Sequence, residues 1–408
     1  MMKPSIILIC LIQLLSMVGY SQQVITNGND SVQQLHNTII TGAEQTELYL
    51  PLLQGKNVAI CANQTSLVGQ RHLADTLLSL GIKLVKIFSP EHGFRGEVEA
   101  GGHIKSSVDS KTGIAVVSLY GVNKKPTVEQ MQGIDIIIFD IQDVGCRFYT
   151  YISTLHYVME SAAECNVKVI IFDRPNPNGY FVDGPVLQKE YASFVGMHPV
   201  PVVHGMTIGE YGSMINEEGW LKNKVKCNLT VIPMKNYTHL MRYSLPVAPS
   251  PNLRTDESIY LYPSLCLFEG TVISIGRGTL IPFQVYGHPA LTSGTYYFTP
   301  EPIKGVSENP PLKGLKCRGV DLTLMARESL PKENHFSLTY LMDAYQHFPN
   351  KELFFSNGAF FDKLAGNTTL RKQIINRLPE EEIRNSWQSE LAAFKIMRKK
   401  YLLYPDFE

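Results

Sequence analysis

The sequence has no excess of charge of either sign. Its 408 residues include 37 lysines and arginines against 37 aspartates and glutamates. A nucleic-acid-binding surface needs a basic excess, so this balance argues against a nucleic-acid partner. The chain also has no low-complexity tract and no repeat at solenoid spacing. These absences leave an ordinary globular protein of two or three domains.

The motifs of several common enzyme classes are also missing. No G-x-G-x-x-G follows a strand-like run, and the chain has no P-loop, no G-x-S-x-G and no H-E-x-x-H. These absences argue against a dinucleotide enzyme, a P-loop nucleotidase, a serine hydrolase with a nucleophile elbow and a zincin. The histidines lack the spacing of metal ligands, so we expect neither a metal nor another cofactor.

Cysteine is scarce, and no two of the seven cysteines are spaced C-x-x-C. A zinc knuckle or a thioredoxin-type motif is therefore not expected. Cys10 lies in the leader, and the other six form an even set that would permit disulfides in an exported protein. Several lie in apolar surroundings, for which buried free thiols are the alternative.

The N-terminus has the pattern of a secretory leader. In residues 1–21, Lys3 precedes a short apolar run that ends in small residues, which predicts cleavage before Gln22. The run is short for a membrane span of about 20 residues, so we expect no stable membrane anchor. Residues 22–50 are polar and patternless, and we interpret them as an export linker with a short leading helix. The protein is therefore predicted to be exported, either periplasmic or secreted.

Beyond the linker, apolar runs alternate with helical patterns. Runs such as KLVKIFS (83–89), IDIIIFD (134–140) and VKVIIFD (167–173) are nearly continuous in large apolar residues. Such runs are typical of parallel strands covered on both faces. We predict an α/β fold, in which a Rossmann-like, doubly wound parallel sheet at residues 51–265 precedes a smaller α/β domain at residues 266–408.

Carboxylates follow three of these runs, at the sheet edge where open parallel sheets bind ligands. The first run leads to Glu91 and His92 in SPEHGFRG, the second to Asp140 and Asp143, and the third to Asp173. These five are the candidate catalytic residues. For Asp140 and Asp173, a structural role in a turn or a helix cap is as well supported as a catalytic role. Glu91 is a poor cap, so a functional role is favoured for it.

A second group of polar and aromatic residues follows in turn-rich segments. Aromatic platforms with a few fixed polar groups are the usual lining of a small-ligand or sugar pocket. Turns, helix caps and core packing are the alternative explanation for the same residues. The candidate substrate-binding residues are Arg147, Tyr149, Asn176, His204, Asn252, Tyr262, Glu269 and Arg277.

Seven ordered motifs resemble one known family. They are SPEHGFRG, FDIQDVGCRFYTY, FDRPNPNGYFVDGP, HGMTIGE, PSPNLRT, YPSLCLFEGT and GRGT, in a stretch from residue 55 to 408. In these motifs the chain is similar to the exo-β-N-acetylmuramidases of the NamZ type. The resemblance implies a Rossmann-like N-terminal domain, a smaller C-terminal domain and an active site in the cleft between them.

Members of that family are glycoside hydrolases that release N-acetylmuramic acid (MurNAc) from the non-reducing ends of peptidoglycan fragments. The resemblance therefore implies that the substrate is a muropeptide or the disaccharide of MurNAc and N-acetylglucosamine, MurNAc-GlcNAc. The family's proposed catalytic glutamate matches the glutamate of SPEHG, which is Glu91 in this chain.

Glycosidic cleavage needs a proton donor for the leaving oxygen and a second group at the anomeric centre. Glu91 is the candidate donor. The second group is one of several carboxylates or the 2-acetamido group of the substrate itself, and the sequence leaves this open. The carboxylates in question are Asp140, Asp143, Asp173 and Glu269.

Muramic acid also carries a lactyl carboxylate, which calls for a cation in the pocket. Arg147 and Arg277 are the candidates, with Arg95 third.

Two functions from other classes are alternatives. A non-catalytic muropeptide-binding protein would keep the fold without the chemistry, and the retained Glu91 argues against it. An exported metallohydrolase or esterase acting on cell-wall material would use His92, Asp140, Asp143 and His204.

Overall fold

The computed structural model describes residues 38–95, 107–329 and 334–408. The predicted signal peptide at residues 1–21 lies outside the described residues. The strands, in chain order, are β1 (Val58–Ala62), β2 (Leu67–Val68), β3 (Arg71–His72), β4 (Leu84–Ser89), β5 (Ser107–Val108), β6 (Ala115–Ser118), β7 (Ile136–Asp140), β8 (Lys168–Phe172), β9 (Leu229–Ile232), β10 (Val285–His288), β11 (Tyr296–Phe298) and β12 (Cys317–Asp321). The α-helices are α1 (Thr46–Leu53), α2 (Leu73–Ser79), α3 (Val128–Met131), α4 (Tyr151–Glu164), α5 (Ile208–Glu217), α6 (Asp256–Leu265), α7 (Thr323–Glu328), α8 (Thr339–His347), α9 (Lys351–Phe354), α10 (Gly358–Ala365), α11 (Thr369–Ile375), α12 (Glu380–Asn385) and α13 (Gln388–Arg398).

The main sheet has the strand order β5-β6-β4-β1-β7-β8-β9. Its neighbouring strands pair in parallel, except that β5 runs antiparallel to β6. The chain thus moves outwards from β1 through β4 to β6, then returns and builds β7, β8 and β9 on the other side. The prediction of a doubly wound parallel sheet is confirmed. In this topology a crevice opens at the carboxyl ends of the strands where the winding direction reverses, beside β1 and β7.

The apolar strand runs are explained by two cores, one on each face of the sheet. In β1 all five residues are buried, and successive side chains point to opposite faces. Val58, Ile60 and Ala62 pack with residues of α1 and α2 in one core. Ala59 and Cys61 pack with residues of α4 and α5 in the other core. Both faces are covered, which is why these strands show no alternation of apolar and polar residues.

Part of the predicted export linker belongs to the fold. Helix α1 covers Thr46–Leu53, and its Tyr49 is fully buried with its ring centroid 4.3 Å from that of Phe172 in β8. Burial of Tyr49 attaches this helix to the sheet, and the linker bounds at residues 22–50 stay a prediction. Residues 22–37 lie outside the described residues.

The C-terminal part contains a small antiparallel sheet of order β10-β12-β11, surrounded by helices. The predicted smaller α/β region after the main sheet is confirmed. In this part β12 ends at Asp321 and α7 begins at Thr323. Residue 265 is the last residue of α6, and a domain boundary at this point stays a prediction.

Neither a membrane-spanning helix nor a disulfide occurs among the described residues. No helix in the part of the chain that the structure describes is long and apolar enough to cross a bilayer. The six cysteines of the described residues are all free thiols, and all but Cys165 are buried.

Candidate active site

The turn after β4 carries Glu91 at the carboxyl edge of the sheet. The last three residues of β4 are buried, and Glu91 follows Pro90 as a partly exposed residue. The backbone then turns, because the N–H of Gly93 donates to the carbonyl of Pro90 over 3.2 Å. His92 takes a φ of 72°. A left-handed backbone is uncommon outside glycine and is often retained at functional sites.

The side chain of Glu91 is held by the start of helix α4. The hydroxyl of Thr150 donates to Oε2 of Glu91 over 3.0 Å. Thr150 is the residue that precedes the first turn of α4, which begins at Tyr151. The contact fixes the carboxylate between the connection after β4 and the connection after β7.

Glu91 and His92 open into a pocket of about 490 Å³. This volume lies within the usual range of about 300–1,000 Å³ for small-ligand sites. The pocket is bounded by the connections after β4, β6, β7, β8 and β9 and by segments from the C-terminal part. Its lining is Glu91, His92, Tyr120, Gly121, Lys124, Phe148, Tyr149, Thr150, Tyr151, Phe194, Val195, Ser250, Asn252, Leu253, Tyr262, Glu269, Arg277, Phe283 and Phe360.

Aromatic rings form a continuous wall across this pocket. The ring centroid of Tyr149 lies 4.9 Å from that of Tyr151 and 5.7 Å from that of Tyr262, in edge-to-face geometry. Tyr262 in turn contacts Phe283 at 5.1 Å. Burial, together with the nearby charge of Glu91, raises the pKa values of Tyr149 and Tyr151. Both hydroxyls therefore stay protonated near neutral pH, and that of Tyr151 donates to the carbonyl of Pro249 over 3.2 Å.

Asn252 brings a polar atom to the pocket. Its side chain is 2% exposed, and its Nδ2 donates to the carbonyl of Val306 over 3.1 Å. Its Oδ1 has no hydrogen-bond partner among the described residues. A buried acceptor without a partner costs free energy of folding.

Glu269 and Arg277 face each other on the C-terminal wall of the pocket. Arg277 donates from Nη2 to Oε1 of Glu269, and its guanidinium lies 5.1 Å from the ring centroid of Phe283. Glu269 lies in a 3-10 helix, Cys266–Gly270, that packs closely on α10. A Cβ at Gly270 would come within 2.5 Å of the Cα of Phe361, so only glycine permits this approach.

Asp140 and Asp173 lie outside the pocket lining. Both oxygens of Asp140 accept from Arg174, over 2.6 and 2.9 Å. Asp173 accepts from the hydroxyl of Thr207 over 2.7 Å and from the hydroxyl of Tyr404 near the C-terminus. Both carboxylates are fully buried and engaged in holding segments together. We therefore leave them out of the proposed catalytic group, and their placement fits the alternative of a structural role.

Asp143 and His204 form a buried pair behind the aromatic wall. Oδ2 of Asp143 accepts from the N–H of Gly145 over 2.6 Å and lies 3.8 Å from Nε2 of His204. Burial raises the pKa of Asp143 to about 7 and lowers that of His204 to about 3. Nδ1 of His204 accepts from the N–H of Met206 over 3.2 Å, which places the ring proton on Nε2. Neither residue lines the pocket.

Arg147 and Asn176 are also placed away from the predicted substrate site. Arg147 is fully buried, and its guanidinium donates to the carbonyls of Pro185, Val200 and Leu364, each over 2.7 Å. Such an arginine ties loops of the sheet part to the C-terminal helices and has no freedom to bind a ligand carboxylate. The amide of Asn176 donates to the carbonyl of Met206 over 2.8 Å and likewise acts within the fold.

Arg95, the third candidate for a lactyl clamp, pairs with Asp109 over 2.8 Å and does not line the pocket. Within the described ranges, no three histidine, cysteine or acidic side chains come together as a metal site. The four residues of the metallohydrolase alternative are divided between the pocket and the buried interior. Asp140 in particular is neutralised by Arg174.

Of the thirteen residues predicted for the site, seven line the pocket. They are Glu91, His92, Tyr149, Asn252, Tyr262, Glu269 and Arg277. Sequence reasoning missed Thr150, Lys124, Phe194 and Phe360 as site residues. Thr150 lies inside the FYTY motif and so had a signal, whereas Lys124 and Phe194 belong to loops without a motif.

Comparisons with known proteins give matches that cover most of the chain. The profile described as "Exo-beta-N-acetylmuramidase NamZ, N-terminal" matches residues 58–257. The corresponding C-terminal profile matches residues 260–404. A curated relative, the peptidoglycan beta-N-acetylmuramidase NamZ of Bacillus subtilis (strain 168), is 40% identical over 373 residues, which is 87% of this chain and 89% of the relative.

Two solved structures from Bacteroides fragilis NCTC 9343 have the same fold, and both are DUF1343 family proteins. One is 48% identical with a TM-score of 0.83, and the other is 30% identical with a TM-score of 0.74. Each similarity covers 90% of this chain and 99% of the solved chain. With matching profiles over both parts of the fold, the chain belongs to the NamZ family of exo-β-N-acetylmuramidases, which are glycosidases.

Proposed function

We propose that this chain removes MurNAc from the non-reducing end of peptidoglycan fragments such as MurNAc-GlcNAc, with Glu91 as the general acid. Glu91 would donate its proton to the glycosidic oxygen as the bond to the anomeric carbon breaks. One observation carries the proposal. The carboxyl group of Glu91 lies at the mouth of an aromatic-walled pocket and is oriented by Thr150.

The pocket has the groups that a sugar substrate needs. Tyr149 and Tyr262 offer aromatic faces and edges for a pyranose ring, and Asn252 lines the same pocket. His92 follows Glu91 directly in the turn and also lines the pocket.

We propose two candidates for the second catalytic group, the carboxylate of Glu269 and the 2-acetamido group of the substrate. In the described part of the chain, Glu91 and Glu269 are the carboxylates that line the pocket. The carboxylate of Glu269 is paired with the guanidinium of Arg277, which occupies its Oε1. We therefore propose that the 2-acetamido oxygen of MurNAc attacks the anomeric carbon, and that Glu269 and Arg277 bind the sugar.

The leader pattern in residues 1–21 supports export, so we propose that the enzyme acts in the periplasm or outside the cell on cell-wall material. N-terminal sequencing of the exported protein tests this proposal. The expected result is a chain that begins at Gln22.

The proposed reaction is tested by incubating the protein with MurNAc-GlcNAc and measuring the free MurNAc and GlcNAc released. The wild-type protein is expected to release both sugars in equal amounts, and Glu91→Gln is expected to release neither at a comparable rate. Glu217→Gln is the matched control, because Glu217 is exposed and pairs with Lys226 away from the pocket. Binding of the disaccharide without any release by the wild-type protein would favour the non-catalytic alternative.

A further inference from the structure

The loop after β6 brings a lysine into the pocket. Lys124 lines the pocket together with Tyr120 and Gly121 of the same loop. Its ammonium lies 4.3 Å from the ring centroid of Phe194, which also lines the pocket. The carbonyl of Phe194 accepts from the hydroxyl of Ser153 over 2.7 Å, so the ring that supports the ammonium is itself attached to α4.

The neighbouring lysine fixes this loop. Lys125 pairs with Glu160 and Glu164 of α4, each over 2.7 Å. The carbonyl of Pro126 accepts from the hydroxyl of Ser161 on the same helix over 2.8 Å. These contacts hold the loop against α4 at Lys125, while Lys124 is directed to the pocket side.

The two basic side chains that line the pocket, those of Arg277 and Lys124, differ in whether an acidic side chain already pairs with them. Arg277 is paired with Glu269, so its charge is largely cancelled before any ligand arrives. Lys124 contacts a ring face and makes no ion pair with an acidic side chain in the described ranges of the chain. A ligand carboxylate would therefore gain more from Lys124, because it competes with no carboxylate for that ammonium.

We propose that Lys124 binds the lactyl carboxylate of the MurNAc residue in the pocket and thereby makes the enzyme select muramyl over glucosaminyl ends. This inference rests on the proposed function, since it names the residue that recognises the distinguishing group of that substrate. Phe194 holds the ammonium in place through a cation–π contact. Unlike an ion pair with a carboxylate, this contact leaves the positive charge available to a ligand. Arg277 remains a contact for the neutral part of the sugar.

Titration calorimetry with MurNAc and with its lactyl amide tests the proposal. The amide has the same shape and no charge, so it isolates the carboxylate. Wild-type protein is expected to bind MurNAc about tenfold or more tightly than the amide, because a hydrogen bond to a charged group is worth more than a neutral one. Lys124→Met, which keeps the apolar stem, is expected to abolish this preference and leave binding of the amide within about twofold, since the amide makes no ion pair to lose.

Two further variants serve as controls. Lys124→Arg should retain most of the preference because it retains the charge. Lys316→Met removes another lysine that lies over an aromatic ring, that of Tyr297 at 4.9 Å, outside the pocket, and should leave the preference unchanged.

Three results would overturn the proposal, namely equal binding of acid and amide by wild-type protein, an unchanged preference in Lys124→Met, or an equal loss for both ligands. Release of sugars from MurNAc-GlcNAc is measured in parallel. Turnover with a preference independent of Lys124 would refute this inference alone. A Lys124-dependent preference without turnover would refute the proposed reaction alone.

Discussion

The hydroxyl of Thr150 donates a hydrogen bond to the carboxylate of Glu91 over 3.0 Å. The contact joins two connections that are 59 residues apart in sequence and leave the sheet from β4 and β7. These two strands flank β1, at whose carboxyl end the winding of the sheet reverses. The position of Glu91 is therefore set by the fold and by one specific side chain.

Removing that hydroxyl should weaken catalysis without harming the fold. We expect Thr150→Val to lower kcat by roughly 10- to 150-fold, because a hydrogen bond to a charged group contributes about 1.5–3 kcal/mol. Thr154→Val is a matched control one turn further along α4, since its hydroxyl bonds the carbonyl of Thr150 and not the pocket. Steady-state kinetics on MurNAc-GlcNAc measures the effect. An unchanged kcat in Thr150→Val would mean that Thr150 does not orient Glu91.

Replacing Glu269 distinguishes between the two candidates for the second catalytic group, which are Glu269 itself and the 2-acetamido group of the substrate. If the acetamido group attacks the anomeric carbon, Glu269→Gln should keep kcat within about tenfold, since it removes binding contacts rather than the reacting group. An N-trifluoroacetyl substrate, whose carbonyl oxygen is a poorer nucleophile, should react much more slowly than the N-acetyl substrate. A loss of about a thousandfold or more in Glu269→Gln, with little effect of the trifluoroacetyl group, would assign the second role to Glu269.

Arg147 should prove to be a stabilising residue and not a ligand for the substrate carboxylate. Arg147→Met removes the guanidinium that donates to three buried carbonyls, of which that of Val200 keeps the N–H of Leu187. Unfolding in urea should therefore require about 3 kcal/mol less free energy. At temperatures where the variant is folded, its preference for MurNAc over the lactyl amide should equal that of the wild type. Lost preference with unchanged stability would restore Arg147 as the carboxylate ligand.

The buried carboxyl of Asp143 should make stability depend on pH. Burial raises its folded pKa to about 7, from an ordinary value near 4. The folded state then holds a proton that the unfolded state has lost, so this group's contribution to stability falls as pH rises from about 4 to about 7. His204, with its pKa lowered to about 3, contributes in the opposite direction between about 3 and 6.5.

The effect of Asp143 is isolated by comparing Asp143→Asn with the wild type across pH, because His204 is present in both. The asparagine can still accept from the N–H of Gly145. The variant should gain stability relative to the wild type as pH rises from 4 to 8, by a few kcal/mol at about 1.4 kcal/mol per pKa unit. Chemical denaturation at each pH measures it, and parallel curves would show that Asp143 is not protonated in the fold.

The sheet was predictable because its cause is local and repeated. All five residues of β7 are buried, and its continuous apolar run therefore predicts a strand that is covered on both faces of the sheet. The position of Glu91 followed from the same rule, since it comes directly after β4. The topology rule could not say which strand-end acid faces the pocket and which faces a partner. Asp140 and Asp173 also follow strands at this edge of the sheet. However, the carboxylate of Asp140 accepts from Arg174, and that of Asp173 accepts from Thr207.

The errors in the binding set have a similar physical origin. Arg147 and Arg277 look alike in sequence, because both lie among glycines and apolar residues. Their difference depends on contacts with residues far away in sequence, such as the carbonyl of Leu364 that Arg147 binds. Lys124 was missed because it lies in a polar loop without a motif, and only the docking of Lys125 on α4 reveals its direction.

The central claim, that Glu91 supplies the proton to the leaving sugar, is tested most directly by changing the leaving group in Glu91→Gln. A sugar alkoxide needs protonation to leave, whereas 4-nitrophenolate is weakly basic and leaves without it. We predict that Glu91→Gln lowers the rate on MurNAc-GlcNAc by about 10²- to 10⁴-fold but lowers the rate on 4-nitrophenyl β-MurNAc far less. Equal losses on both substrates, or unchanged release of MurNAc from the disaccharide, would contradict the account.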